Sequence, residues 1–216
     1  MFEDPTVLAL SPVHFFALSF DCHQLPTPET IPAKRTHSLP STHHLCHEFP
    51  FAHVTMGWHE EGIGLEVEVN QLFTKACYPE VSRGDSIELF IDTRDLKSAG
   101  FNTRFCHHFF FLPQAVDDQL CGEITRFRTE DDHPLCDSQA LKCQTHFNRK
   151  GYVMNIFIPV SCLYGYDPKQ FDRLGFNYRI NRATGAAQHF SVVSSEYQVD
   201  QQPSLWASVN LQTKSP

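Results

Sequence analysis

Apolar and polar residues alternate with a period of two along most of this chain beyond residue 50. The alternating segments are 63–70, 85–92, 152–158 and 174–181, followed by shorter apolar runs at 189–193 and 205–211. A period of two is typical of β-strands with one buried and one polar face. The 104–112 segment is almost entirely apolar or aromatic. It therefore predicts a central strand that is buried on both faces.

Turn-forming residues separate these segments at 83–85, 148–151, 166–168 and 183–185. Helical periodicity is confined to one or two turns near 160–164 and 168–173. Short strands separated by turns, with few helices, are typical of antiparallel sandwiches. The pattern thus predicts an all-β fold: an antiparallel β-sandwich of jelly-roll, immunoglobulin-like architecture. The two tryptophans, Trp58 and Trp206, are predicted to pack in its core.

The first 50 residues have a different composition and hold seven of the 14 prolines. Pro26, Pro28 and Pro32 interrupt any continuous strand or helix, because proline lacks the backbone N–H that both need. We predict an irregular arm, rich in proline and histidine, over 1–50, with one strand at 13–20. The arm is expected to pack on a sandwich domain over 51–216.

Charge and hydropathy exclude some functions. The net charge is −8 and no basic stripe is present, which argues against nucleic-acid binding. The longest apolar stretch, 7–20, is interrupted by polar residues and preceded by acidic ones, so neither a signal peptide nor a membrane span is predicted. We expect a cytoplasmic protein, although export by a route without such a signal stays open.

Eight cysteines and three His/Cys clusters raise the question of metal binding. No Cys-x-x-Cys pair occurs, so we predict reduced and mostly buried cysteines. The clusters lie at 21–23, 43–47 and 106–108. His107 and His108 are adjacent in a predicted strand, so they point to opposite faces and cannot serve one site without a bulge. The sequence leaves metal content open.

Catalytic motifs for nucleophilic, phosphate-binding or zinc-protease chemistry are absent from the sequence. Glu88 and Asp92 share one strand face, but strand geometry separates them by roughly 13 Å. That distance exceeds the about 5–9.5 Å of glycosidase acid/base pairs. The sequence therefore indicates a protein that is not an enzyme.

Five ordered motifs resemble a known family. GDSIELFID at 84–92 resembles the central strand of family 9 carbohydrate-binding modules and the related DOMON-like domains. The other motifs, in chain order, are WHEEGIGLEVEV at 58–69, GYVMNIFIP at 151–159, LGFNYRIN at 174–181 and PSLWASV at 203–209. IDTRD at 91–95 with RFCHHF at 104–109 is similar to a bacterial subgroup of that superfamily. The resemblance spans about residues 52–211.

This resemblance implies a jelly-roll sandwich, non-catalytic carbohydrate binding and structural calcium. Family 9 modules clamp a sugar between two tryptophans, whereas Trp58 and Trp206 occupy framework positions here. Two alternatives therefore stay open. One is a structural or protein-interaction domain that does not bind sugar and uses the arm for docking. The other is a metal- or haem-binding domain of the DOMON type.

A sugar site is predicted on the polar face of the 85–92 strand. Sugar hydroxyls need polar planar groups beside an aromatic face, and Glu88, Phe90 and Asp92 alternate on that face. Asn177 and Arg179 share one face of a later strand and join the site if that strand lies alongside. Arg104 and His108 would extend the surface. The predicted hydrogen-bonding contacts are Glu88, Asp92, Asn177 and Arg179, with Phe90 as the stacking surface.

Overall fold

Two facing β-sheets form the computed structural model, which describes residues 18–213 of the 216. The smaller sheet has four strands in the order β2-β3-β8-β7. Its strands are β2 (Ala52–His59), β3 (Gly62–Val69), β7 (Lys142–Phe147) and β8 (Tyr152–Pro159). Neighbouring strands in this sheet are antiparallel. No helix in the described range is long and apolar enough to cross a membrane.

The larger sheet carries the predicted site. Its strands are β1 (Ser19–His23), β4 (Ser86–Asp92), β5 (Cys106–Val116), β6 (Gln119–Glu123), β9 (Arg173–Asn181), β10 (Gln188–His189) and β11 (Ala207–Gln212). They lie in the order β1-β11-β9-β4-β5-β6, and β10 pairs with β9. β4 is central and runs antiparallel to both of its neighbours, β5 and β9. The predicted antiparallel all-β sandwich is confirmed.

The main core lies between the sheets, as strand alternation requires. Ile87, Leu89 and Ile91 of β4 point inward and pack with apolar side chains of β3 and β8. Trp58 belongs to this core, whereas Trp206 belongs to a second apolar cluster on the outer face of the larger sheet. Both tryptophans are buried, so the prediction that they serve core packing is confirmed.

The strands that alternation predicted at 63–70, 85–92, 152–158 and 174–181 are present, and 104–112 lies largely within β5. The structure adds three strands that the sequence analysis did not predict: β2, β6 and β7. Of the run at 189–193, only His189 lies in a strand. Of the predicted 13–20 strand, residues 13–17 lie outside the described residues, and β1 begins at Ser19.

The described part of the arm packs on both sheets. β1 pairs in parallel with β11 and thereby joins the larger sheet. Leu25 lies over Gly57 of the smaller sheet, where an added Cβ would come within 2.4 Å of the leucine side chain. Beyond the proline-rich part, two short helices form, α1 (Lys34–His37) and α2 (His43–Cys46), which the sequence did not predict. None of the eight cysteines is disulfide-bonded, and five are buried.

Candidate functional site

All five residues of the predicted site lie on one face, the outer face of the larger sheet. β9 lies alongside β4 in a register that pairs Glu88 with Arg179 and Phe90 with Asn177. Paired residues of an antiparallel sheet point to the same side. Asp92 follows on β4 two residues beyond Phe90, with the same orientation. The grouping inferred from strand alternation is therefore confirmed.

This face is covered, so the expectation that it is open to solvent is wrong. Glu88, Phe90, Asp92 and Asn177 are each at most 1% exposed. The chain between β10 and β11 crosses the face and packs an apolar cluster on Phe90, with ring centroids of Phe90 and Trp206 5.8 Å apart. The other covering residues are Val192, Val199 and Leu205. Phe90 is therefore a core residue here and not an open stacking surface.

Glu88 is the centre of a buried polar network. Its Oε2 accepts hydrogen bonds from Arg179 Nε at 3.1 Å and from His108 Nε2 at 3.2 Å. Its Oε1 accepts a hydrogen bond from Asn181 Nδ2 at 3.0 Å. Burial alone raises the pKa of Glu88. The hydrogen bond from His108 and the charges of His108 and Arg179 outweigh burial and lower the pKa to about 2.

The network reaches solvent through two of its members. The side chains of Arg179 and His108 are 17% and 8% exposed, whereas that of Glu88 is fully buried. An aromatic ring lies close by, because Tyr78 packs on Phe110, the β5 residue paired with Glu88, with ring centroids 5.6 Å apart. Tyr78 is itself exposed. A held guanidinium, an imidazole and an exposed phenol ring together can recognise a polar ligand with one flat apolar face.

Asp92 and Asn177 have structural roles that the sequence analysis missed. Asp92 Oδ1 accepts a hydrogen bond from the Arg94 N–H at 2.9 Å, and its Oδ2 accepts one from the Leu96 N–H at 2.6 Å. Asn177 Oδ1 accepts the Ser191 N–H at 3.0 Å and so holds the covering chain. Arg104 precedes β5 and pairs with Asp131, so it does not extend this surface. Asp92 and Asn177 thus shape this face but are buried beneath it.

Replacing Asp92 with Ala is expected to destabilise the fold by about 1–3 kcal/mol, because two N–H groups of the turn after β4 lose their acceptor. Burial raises the pKa of Asp92 despite the hydrogen bonds from the Arg94 and Leu96 N–H groups. Asp92→Asn, which keeps one acceptor oxygen, is expected to cost less. Urea denaturation of both variants measures the difference. Equal stability of the alanine variant and the original protein would contradict this role.

One group of potential metal ligands occurs within residues 18–213. It comprises His107, Glu123 and His133. Of the three sequence clusters, only the one at 106–108 contributes to it, through His107. The inference that His107 and His108 serve opposite faces is confirmed, because His108 binds Glu88 on the outer face and His107 contacts Glu123 on the inner face.

Comparisons with known proteins agree with this fold. The family model described as "Carbohydrate family 9 binding domain-like" matches residues 36–214. A search among curated proteins found no match. A family 9 carbohydrate binding module from Caldicellulosiruptor kristjanssonii, solved with cellotriose, is 14% identical with a TM-score of 0.63. The alignment covers 91% of this chain and 95% of that chain.

Two further solved structures are similar. A family 9 module from the same organism, in complex with glucose, is 17% identical with a TM-score of 0.56, and the alignment covers 76% of this chain and 78% of that one. A putative carbohydrate-binding protein from Bacteroides uniformis is 10% identical with a TM-score of 0.58 over 90% of this chain and 99% of that chain. At these identities the structures establish a shared fold.

Proposed function

The chain belongs to the carbohydrate family 9 binding domain-like family, and from this premise we propose that it is a non-catalytic carbohydrate-binding module. The match spans both sheets of the sandwich and includes the outer-face network. Two structures of similar fold were solved with cellotriose and with glucose. Fold alone does not determine a ligand. The proposal therefore also needs a site with suitable chemistry.

The observation that carries the proposal is the Glu88 network, which opens to solvent through Arg179 and His108. Sugar hydroxyls accept hydrogen bonds from donors of this kind. Because Glu88 already holds both side chains, little of their conformational freedom is lost on binding. Tyr78 supplies an exposed aromatic ring for the apolar face of a sugar. In this proposal Arg179 and His108 contact the sugar, and Glu88 positions them.

The remaining predicted contacts take a different place in this proposal. Phe90 lies beneath Arg179, with the guanidinium carbon 6.0 Å from the ring centroid. Asn177 and Asp92 hold the covering chain and the turn after β4. These three residues support the site from below rather than forming its surface.

Arg179→Gln is expected to weaken glycan binding at least tenfold, and circular dichroism verifies that the variant is folded before it is titrated. The variant loses the guanidinium donors, and His108 and Asn181 still hydrogen-bond Glu88. A glycan array with untagged protein identifies the sugar, and titration calorimetry then compares variants. The matched control is Arg149→Gln, in the exposed turn between β7 and β8. Its affinity should be unchanged.

Two outcomes of this experiment would contradict the proposal. If the original protein binds no glycan on the array, the carbohydrate-binding function is wrong for this chain. If Arg179→Gln keeps full affinity, the sugar binds elsewhere. A groove of about 440 Å³ between the arm and the smaller sheet is then the next location to test. It contains Phe157 and Asn155, whose buried Oδ1 finds no hydrogen-bond donor among the described residues.

Three expectations stay predictions: structural calcium, a cytoplasmic location and a protein partner for the arm. Calcium is tested by repeating the array in the presence of a chelator. Loss of binding that returns when calcium is added would support it. Binding that is indifferent to the chelator would argue against a calcium-dependent site.

A further inference from the structure

A second polar cluster lies on the inner side of the larger sheet. It joins His107 of β5, Glu123 of β6 and His133 from the chain between β6 and β7. One nitrogen or oxygen of each residue lies within 4.8 Å of the other two. All three side chains are almost completely buried. The cluster faces away from the Glu88 network, and the proposed sugar site does not use it.

The contacts of His133 place one of its ring nitrogens against an acceptor oxygen of Glu123. Its Nδ1 lies 2.7 Å from the carbonyl oxygen of Arg104, which can only accept a hydrogen bond, so Nδ1 carries the proton. In the neutral ring, Nε2 then presents a lone pair to Glu123 Oε1 at 2.9 Å. Two lone pairs repel each other unless a proton or a metal ion lies between them.

Three polar groups contact the same oxygen of Glu123, Oε1. Besides His133, its Oε1 accepts a hydrogen bond from Thr125 Oγ1 at 2.7 Å and lies 2.8 Å from His107 Nδ1. Its Oε2 accepts the Cys136 N–H at 2.8 Å. Both carboxylate oxygens are therefore fixed in position by neighbouring groups, and Oε1 faces both imidazole rings.

We propose that His107 Nδ1, Glu123 Oε1 and His133 Nε2 bind a divalent transition-metal ion of the zinc class. Imidazole and carboxylate are zinc ligands, and three protein ligands with one open position are a common set. The hydrogen bond from His133 Nδ1 to a carbonyl is the arrangement that orients metal-bound histidines. Any proton held between the rings and Glu123 is released to solvent on binding.

Two of the three ligand-to-ligand distances are close to those around a bound ion, and the ligand atoms of all three residues lie within 4.8 Å of one another. With metal–ligand bonds of about 2.0–2.1 Å, tetrahedral ligand atoms lie roughly 3.3 Å apart. The contacts of Glu123 Oε1 with the two rings, at 2.8 and 2.9 Å, would therefore widen by a few tenths of an ångström. A cavity of about 540 Å³, lined by His133, Cys136 and Tyr164, offers a path for entry.

Zinc binding to the full-length, untagged protein tests this proposal. After treatment with a chelator and its removal, competition with a chromophoric zinc chelator should give one site per chain. His133→Gln should raise the zinc dissociation constant at least about 100-fold. Co²⁺ should give the visible absorption of a site with nitrogen ligands, and that absorption should be lost in the same variant. Zinc should also raise the thermal unfolding midpoint of the original protein.

The control is His146→Gln, which removes an exposed histidine of β7 and should leave zinc affinity unchanged. Glu123→Gln is a second ligand variant, and circular dichroism verifies that each variant is folded. Zinc affinity that is the same in His133→Gln and the original protein would overturn the proposal, as would an original protein that binds no zinc. Neither result affects the interpretation of the glycan experiment, because Arg179 is not part of this cluster.

Discussion

Glu88→Ala is expected to lower the free energy of unfolding by about 3–5 kcal/mol, among the largest effects of any single substitution here. The carboxylate is fully buried and accepts hydrogen bonds from Arg179, His108 and Asn181. Removing it leaves a positively charged guanidinium at the edge of an apolar cluster without its counter-ion. Breaking one half of a buried pair costs more than the pair itself contributes, because the remaining charge is uncompensated.

Glu88→Gln separates charge from hydrogen bonding at this position. The amide keeps one acceptor oxygen, so its cost should be smaller than that of the alanine variant. Urea denaturation at neutral pH compares both with Glu61→Ala, which removes an exposed carboxylate and should change stability little. If Glu88→Ala is no less stable than Glu61→Ala, the network makes no net contribution to the fold.

The pH dependence of stability provides a second readout of the same charge. The folded pKa of Glu88 is about 2, below the ordinary value of 4.5, so the unfolded chain binds this proton more readily. The contribution of Glu88 is complete above pH 4.5 and is lost as the pH falls from there toward 2. This shift corresponds to about 3 kcal/mol. Glu88→Gln should therefore lose less stability on acidification, and an unchanged acid profile would contradict the pKa.

Strand alternation predicted the strands in which apolar and polar residues alternate, including β4, whose polar face turns out to be covered. β8 shows this in its burial, in which buried and half-buried residues alternate along its whole length. β7 was missed because it lies at the edge of its sheet, where its residues are exposed or half-buried and no apolar face is needed. β6 was missed because it is short and holds a buried acid, Glu123, at an inward position. The local hydrophobic pattern indicates neither an exposed edge strand nor a strand that buries an acidic side chain.

The sequence predicted which residues of the site share a strand face, but it did not predict that other residues cover that face. Alternation places Glu88 and Phe90 on one strand face, whereas the structure supplies their pairing with Arg179 and Asn177 of β9. Whether that face is open depends on residues 190–206, which contact it through tertiary packing. The spacing of Val192, Val199 and Leu205 follows no strand period. Their apolar side chains indicate that this connection contains buried residues, but not which face they cover. Glu123 and His133 lie in a stretch without periodicity, so no sequence argument placed them beside His107.

Trp206→Ala is the substitution that should most directly uncover the outer face, with an expected loss of about 3–5 kcal/mol. The indole is fully buried, packs on Phe90, and donates a hydrogen bond from Nε1 to the carbonyl oxygen of Val199 at 2.8 Å. Alanine removes both the apolar contact and the link between the two ends of the 199–206 segment. The remaining cavity would lie directly above Phe90.

Trp206→Phe keeps most of the buried ring but loses the indole N–H, so its cost should be nearer about 1–2 kcal/mol. Denaturation of the two variants is followed by circular dichroism. Fluorescence is less suitable, because Trp58 is the one tryptophan left in these variants and it lies in the core between the sheets. If the alanine and phenylalanine variants are equally stable, the covering segment is held by contacts other than the indole. The burial of Glu88 and Asn177 would then depend on polar contacts of this segment, among them the hydrogen bonds from the Ser191 N–H to Asn177 and from Asn102 to the Asp200 carbonyl oxygen.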